Sequence, residues 1–330
     1  MPGITGQGTT YNLPNYVGEL FAASPEDTPL LSAIGGLTGG RSTAGAKLFE
    51  WQGFDLRDAD SGRQRLEGAD APDGEERVRY SASNVVEIHQ EAVELSYTRQ
   101  ATTGQRTVDA GVTQVTVGST TIPANELAWQ LDQQFKQIAR DVEKTFIVGQ
   151  YQNPTDNTQP RKTRGLLQAI TTNVVAVQKA AANDPLSSVV TEDVILDLFQ
   201  DVWDNGGIQE SETRTVIVGA AFKRLLTKIF IKDKGYQESS REVGGVSLQT
   251  FETDFGKASI MLDRYAPANT LTVASLEDMA PRFLEIPGKG HFFAESLAKT
   301  GSADKVQIYG EIGLEYGNER KHGKLIVEEA

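Results

Sequence analysis

The chain has 330 residues, of which 38% are hydrophobic, with a net charge of −13 and no cysteine. The absence of cysteine excludes a disulfide framework and every thiolate metal site or nucleophile. The acidic balance argues against phosphate-based binding of nucleic acid, and no apolar run reaches the roughly 20 residues that span a bilayer. The first residues have neither a basic region nor an apolar core, so we expect no signal peptide and cytoplasmic synthesis.

Residues 1–45 are predicted to form an arm rather than a domain, because Gly, Thr, Pro and Ser dominate this segment. Its short helix-capable apolar patch contains Tyr16, Leu20 and Phe21. Such a segment buries little surface by itself, so it is either disordered or ordered against another surface. If it is ordered in this way, Tyr16, Leu20 and Phe21 are the predicted contacts to a neighbouring chain.

Residues 46–95 are predicted to form a long hairpin, with extended runs at 46–54 and 78–95. Between them, residues 57–79 hold five Arg, seven acidic residues and no Lys. Arg forms planar, bidentate pairs with carboxylates, so this tip suits contacts with a neighbouring chain; the alternative is a solvated flexible loop. The predicted contact residues are Arg57, Asp58, Arg63, Arg65, Glu67, Arg77 and Arg79.

Residues 96–165 contain a short β-like pattern at 112–117, predicted to form a small hairpin, and then a long amphipathic helix over 123–149. Pro123 suits a first helical turn, and Gly149 suits a left-handed cap. Asp141 and Glu143 are interpreted as ordinary surface charge. The apolar stripe that predicts the helix has spacings of three and four residues and consists of Leu127, Leu131, Phe135, Ile138, Val142 and Phe146.

Residues 166–280 are predicted to form a compact α/β domain. Thr191 is expected to cap a helix that ends at 205–207. A strand at 215–218, a helix at 220–230, a polar loop at 232–245 and strands at 246–252, 258–262 and 271–274 follow. Residues 281–330 return to strand-like patterns at 283–286, 305–312 and 325–327.

Catalytic and metal motifs are not found in the sequence. His89, His291 and His322 are far apart and have no metal-ligand spacing, so packing or surface roles are predicted. No metal, cofactor or catalytic residue is therefore expected. Carboxylates are plentiful, which leaves a hydrolytic pair open, although no pair stands out.

The order of arm, charged hairpin, long helix, α/β domain and returning strands resembles the major capsid proteins of tailed bacteriophages. These have the α+β Hong Kong 97-type fold, with an N-terminal arm, an extended E-loop, a spine helix in a peripheral domain, and an axial domain. The resemblance covers nearly the whole chain and is closest at 16–21 (YVGELF), 27–36 (DTPLLSAIGG), 96–100 (SYTRQ), 126–128 with 140–144, 297–301 (LAKTG) and 315–319 (EYGNE).

The resemblance implies a shell protein that forms hexamers and pentamers of an icosahedral virion around DNA, which it contacts only non-specifically. It assigns 1–45 to the arm, 46–95 to the E-loop, 96–165 to the peripheral domain, 166–280 to the axial domain and 281–330 to strands that return to the peripheral domain. It further implies scaffolding and portal partners, a possible decoration protein, and no membrane. The role of the insertion near 112–121 stays open.

Two alternatives remain at this stage. One is a subunit of an encapsulin-like compartment, which has the same fold but encloses a cargo protein. The other is a soluble α/β enzyme or binding protein with long loops, which would need a deep pocket with converging polar groups.

Overall fold

The computed structural model describes residues 27–37, 39–43, 45–54, 59–101, 114–117, 120–123, 126–208, 214–232, 249–299 and 301–329. Within these ranges the α-helices are α1 (Pro29–Ile34), α2 (Tyr97–Ala101), α3 (Glu126–Val148), α4 (Leu166–Ala169), α5 (Glu192–Asp204) and α6 (Ala220–Leu226). None of these helices has the length and apolar character needed to cross a membrane.

The strands of the described residues form two larger sheets and two separate hairpins. They are β1 (Arg41–Ser42), β2 (Leu48–Phe54), β3 (Arg79–Val85), β4 (Glu87–Ser96), β5 (Gln114–Val117), β6 (Thr120–Pro123), β7 (Val174–Gln178), β8 (Arg214–Val218), β9 (Gln249–Thr253), β10 (Gly256–Leu262), β11 (Thr270–Ser275), β12 (Ala280–Phe283), β13 (Phe292–Ser296), β14 (Ala303–Glu315) and β15 (Gly323–Glu328).

The predicted long helix is confirmed as α3, but it starts three residues later than expected. Pro123 is not in its first turn. It is the last residue of β6 and pairs with Gln114, and the residue before it, Ile122, has the extended backbone that a following proline favours. The 23 residues of α3 give a rod of about 35 Å. Gly149 follows the helix at a position without space for a side chain, because a Cβ there would lie 2.4 Å from the Thr145 carbonyl oxygen. Its φ is not positive, so the predicted left-handed cap is wrong.

The apolar stripe of α3 faces the five-stranded sheet. In that sheet β14 pairs with β4 along one edge and with β13 and β12 along the other, and β1 adds parallel to β12. Leu131, Ile138, Val142 and Phe146 are fully buried in one cluster with residues of β4, β12, β13 and β14. The helix therefore supplies one wall of this core.

The six-stranded sheet has the order β7-β15-β11-β8-β10-β9 and is covered on one face by α5 and α6. Along β8, Val216 and Val218 point to that face, whereas Ile217 joins the core of α3. This alternation follows from the two-residue period of a strand. The sheet therefore packs on α5 and α6 with one face and on the α3 core with the other.

Helix α5 begins as predicted, because the Thr191 side chain accepts a hydrogen bond from the Val194 backbone N–H. The second helix of this region, α6, continues as a π-helical turn over Thr227–Lys232. The predicted loop at 232–245 falls almost entirely outside the described residues. β7 and β13 are strands that the sequence patterns did not indicate.

Two predictions for the C-terminal region are wrong. The strand expected at 283–286 lies at β12, where pairing to β14 ends at Phe283 and the chain then turns. Residues 281–330 were also expected to return together, but β15 pairs with β7 and β11 in the six-stranded sheet. β15 joins that sheet because Leu325 and Val327 bury their side chains against the α5–α6 core.

His322 is a structural residue, as its sequence context indicated. It is fully buried; its Nε2 lies 2.7 Å from the Tyr316 carbonyl oxygen, and its Nδ1 lies 3.2 Å from the Ser275 backbone nitrogen. These partners assign a neutral imidazole that donates through Nε2 and accepts through Nδ1. The ring therefore ties β11 to the segment between β14 and β15.

We predict that His322→Leu destabilises the subunit by about 2–6 kcal/mol, because two buried backbone groups then lose their partner at about 1–3 kcal/mol each. Urea denaturation of the unassembled subunit measures this change. His291→Leu is the matched control. His291 packs its ring on Phe283 and has no hydrogen-bond partner among the described residues, so a loss below about 1 kcal/mol is expected there. Equal losses in the two variants would contradict the assigned role of His322.

Candidate assembly surfaces

The hairpin of β2 and β3 is fixed at its base. Phe49 is buried, and the Trp51 indole N–H donates to the Gly317 carbonyl oxygen at 2.8 Å. The fully buried Asn84 side chain donates to the carbonyl oxygens of Leu314 at 2.7 Å and Arg164 at 3.1 Å. The two strands stay paired up to Phe54 and Arg79, so the hairpin projects from a rigid base.

The tip beyond the paired strands is exposed wherever the structure describes it. All the described residues from 59 to 79 are exposed, and among them the apolar side chains Leu66 and Val78 are 86% and 85% exposed. Phe54, at the end of β2, is 62% exposed. These three apolar side chains are available for contact with another chain.

The predicted contact residues on this tip have different environments. Arg63 pairs with Glu75 and with Asp60, and Arg77 pairs with the same Glu75 at 3.1 Å. Glu75, which the sequence patterns did not single out, therefore links Arg63 to Arg77 across the tip.

The other predicted contacts are less connected. Arg79 donates weakly to Gln52 across the hairpin, with 3.4 Å between donor and acceptor. Arg65 and Glu67 are exposed and have no ion-pair partner in the described part of the chain. The remaining predicted contact residues, Arg57, Asp58, Tyr16, Leu20 and Phe21, lie outside the described residues.

The part of the predicted arm that is described packs onto the subunit through α1. Leu30, Leu31 and Ile34 are buried in the α3 core. The Thr28 side chain makes no capping hydrogen bond to α1. Instead, the Glu143 carboxylate on α3 accepts the backbone N–H groups of Leu30 at 2.7 Å and Leu31 at 2.6 Å. The amides that a helix leaves unpaired at its start are thus capped by another helix.

The interpretation of Glu143 as surface charge is therefore wrong, since its side chain is fully buried. A signal for this was present in the sequence. Glu143 lies between Ala139 and Ile147 at helical spacing, and both of these pack in the α3 core. Ala139, Glu143 and Ile147 form a row of residues four apart, which lies beside the apolar stripe of α3. A residue in this row therefore faces the core. Asp141, by contrast, is exposed as expected.

A second buried carboxyl, Asp263 at the end of β10, lies next to Glu143. Its Oδ1 accepts the Tyr265 backbone N–H at 2.7 Å, and its Oδ2 is buried without a hydrogen-bond partner among the described residues. Burial and the adjoining Asp263 carboxyl raise the pKa of Glu143 to about 9, against the opposing effect of the Leu31 and Leu30 amides. A further hydrogen bond connects α3 to the residues after Asp263: the Arg140 Nε donates to the Tyr265 hydroxyl at 2.8 Å.

The outer face of the five-stranded sheet carries a separate set of buried charges. The Glu311 carboxylate pairs with Arg161 at 2.8 Å and accepts the Tyr309 hydroxyl at 2.7 Å. Glu315 pairs with Arg282 on β12 and with Arg41 on β1, the latter at 3.4 Å. These pairs attach the loop before α4 and the end of the arm to the sheet.

The described residues contain no group of three or more His, Cys, Asp or Glu side chains that could hold a metal ion. The three histidines are separated, as the sequence indicated: His89 pairs with Glu87 at 2.8 Å, His291 stacks on Phe283, and His322 is buried elsewhere. The charged groups described above therefore connect helices, strands and loops of the subunit to one another.

Comparison with known proteins shows which family the chain is similar to. A model of the family described as SU10 major capsid protein matches residues 3–328. The chain is also 23% identical to the major capsid protein of Escherichia phage Phieco32, over 92% of this chain and 90% of that protein.

Solved structures show the same fold at low identity. The capsid structure of cyanophage P-SCSP1u matches with a TM-score of 0.58 at 12% identity and covers 99% of this chain and 96% of that one. An encapsulin complex from Synechococcus elongatus matches with a TM-score of 0.56 at 12% identity, over 96% of this chain and 91% of that one. The predicted resemblance is confirmed: the chain has the Hong Kong 97-type fold of tailed-phage capsid proteins and belongs to the SU10 major capsid protein family.

Proposed function

We propose that the chain assembles into hexamers and pentamers of an icosahedral phage head that encloses double-stranded DNA. The observation that carries this proposal is the β2–β3 hairpin, which is rigid at its base and exposed over its entire described tip. A two-stranded hairpin with little apolar content is marginal alone. A neighbouring subunit provides the surface on which such a tip becomes ordered.

In this proposal the hairpin is the E-loop, α3 is the spine helix, residues 96–165 belong to the peripheral domain, and 166–280 belong to the axial domain. The predicted contact residues Arg63, Arg65, Glu67, Arg77 and Arg79 act between subunits. Scaffolding, portal and decoration proteins are the proposed partners, and DNA meets the inner surface only non-specifically. The subunit itself has no catalytic task.

The encapsulin-like fold supports a second candidate, a compartment for a cargo protein. The content of purified shells separates the two functions. Packaged DNA supports the phage head, whereas a co-purified cargo enzyme without DNA would overturn it. The family match favours the phage head.

Replacing residues 55–78 by Asn-Gly tests the role of the tip. Phe54 and Arg79 are the last pair of the ladder, so a two-residue turn closes the hairpin without strain. We expect the subunit to fold with its melting temperature unchanged within a few degrees, and closed shells to be absent. Circular dichroism with negative-stain electron microscopy and sedimentation measures both. Normal shells from this variant would refute the E-loop assignment.

The bridge at Glu75 allows a finer test, because Glu76 is its exposed neighbour and has no pairing partner among the described residues. Glu75→Gln removes the ion pairs to Arg63 and Arg77, whereas Glu76→Gln makes the same change of charge and breaks none. Since exposed pairs contribute about 0.2–1 kcal/mol, subunit stability should hardly change. We expect Glu75→Gln to slow assembly several-fold, because its tip is less ordered before docking.

Light scattering at matched protein concentration measures the assembly rate. The Glu76→Gln rate should stay within about twofold of the wild type. Equal slowing of both variants would show that the net charge of the tip, rather than its internal pairing, controls assembly.

A further inference from the structure

The joint between α1, α3 and the end of β10 contains two carboxyl groups at one buried place. Glu143 and Asp263 are each 0% exposed. Both oxygens of Glu143 accept α1 amides, and Oδ1 of Asp263 accepts the Tyr265 amide. Asp263 Oδ2 then remains buried without a donor among the described residues. Such an orphan acceptor in the core requires an explanation.

No cation neutralises this pair in the described part of the chain. On α3, Arg140 is directed to the Tyr265 hydroxyl, and Lys144 is exposed. After β10, Arg264 pairs with Asp27 near the surface at 3.7 Å. The residues of α1 itself, PLLSAI, carry no charge.

The other elements packed against α1 direct their charges elsewhere. Arg282 of β12 pairs with Glu315. In the 3₁₀ turn Leu276–Asp278, Asp278 pairs with Lys321, and Glu277 lies within reach of the Ser275 hydroxyl. Two ionised carboxylates would therefore face each other in an apolar cluster, and such pairs retain a proton.

We propose that Glu143 and Asp263 share one proton, and that loss of this proton loosens α1 from the spine helix. With the proton in place, an O–H group satisfies the free oxygen of Asp263 while Glu143 still caps α1. Without it, repulsion between two buried anions favours entry of water between α1 and α3. The buried Leu30 and Leu31 oppose complete release. The inference concerns the subunit and does not depend on what the shell encloses.

The direction of the pH dependence follows from the raised pKa of Glu143. The closed joint holds a proton that the open joint gives up. The contribution of this proton to the attachment of α1 is therefore fully present below the ordinary carboxyl pKa, near 4.5. It decreases as pH rises and is lost as pH approaches about 9. The opening equilibrium of α1 can change by up to about tenfold per pH unit in this window.

Hydrogen exchange of the peptide that contains residues 28–34, followed by mass spectrometry on intact shells, measures this opening. Rates are divided by the intrinsic exchange rate at each pH. We expect the opening equilibrium of the wild type to rise more than tenfold between pH 6 and pH 8.5. A flat wild-type profile would overturn the proposal.

Asp263→Asn is the decisive variant. Its amide oxygen can accept the Tyr265 amide and its NH₂ group can donate to ionised Glu143, so no proton is needed. The opening equilibrium should therefore be independent of pH and stay low. Asp141→Asn on the same helix is the matched control, since Asp141 is exposed, and it should keep the wild-type slope. A wild-type slope in Asp263→Asn contradicts the shared proton.

Glu143→Gln gives an independent measurement. Its NH₂ group faces one α1 amide, so α1 should open at every pH. An infrared spectrum of wild-type shells at pH 7 keeps the proposal falsifiable even if variants fail to fold. A protonated carboxyl band that disappears towards pH 9 supports the shared proton, and its absence at pH 7 overturns it.

Discussion

The subunit depends on one helix that both sheets share. Four side chains of α3, Leu131, Ile138, Val142 and Phe146, are buried in a cluster that also contains Ile217, Met261 and Ala274 of the six-stranded sheet. Burial of these four contributes about 6–12 kcal/mol relative to exposure, at about 1.5–3 kcal/mol for each large side chain. This is comparable to the whole stability of a typical domain. The two sheets therefore cannot separate without exposing the helix, and the subunit behaves as one body around α3.

The β2–β3 hairpin has the opposite character. It is a two-stranded element with no second layer of its own, and only its base is tied down, through Trp51 and Asn84. Its tip has paired charges but no core. Groups that are not buried within the free subunit are the ones available for contact with a neighbour. The fold thus divides into a part whose side chains are buried around α3 and a hairpin tip whose described residues stay exposed.

Patterns within a few residues predicted much of this fold. The stripe of α3, the cap at Thr191 and the pairing of β2 with β3 depend on local periodicity and local hydrogen bonds, which a sequence displays directly. The partner of β15 does not, since an apolar strand pattern says nothing about which sheet it joins. Pro123 was misplaced because a proline suits both a first helical turn and a strand end. Glu143 was wrongly predicted to lie at the surface because a charged side chain is usually exposed. Its position between Ala139 and Ile147 on the helix nevertheless places it in a buried row.

The two attachments of the arm differ in chemistry, and this difference decides what can move. At β1, Arg41 and Arg282 form ion pairs with Glu315, and backbone pairing of β1 to β12 adds to this attachment. At α1, two acids meet without a cation. Replacing a buried ionic group by an apolar one often raises stability, so a fold selected only for strength at this joint could dispense with the pair. If the α1 joint weakens on loss of a proton, α1 can loosen while ion pairs and backbone pairing keep β1 in the sheet. Leu131, Ile138, Val142 and Phe146 of α3 still join the two sheets when α1 loosens.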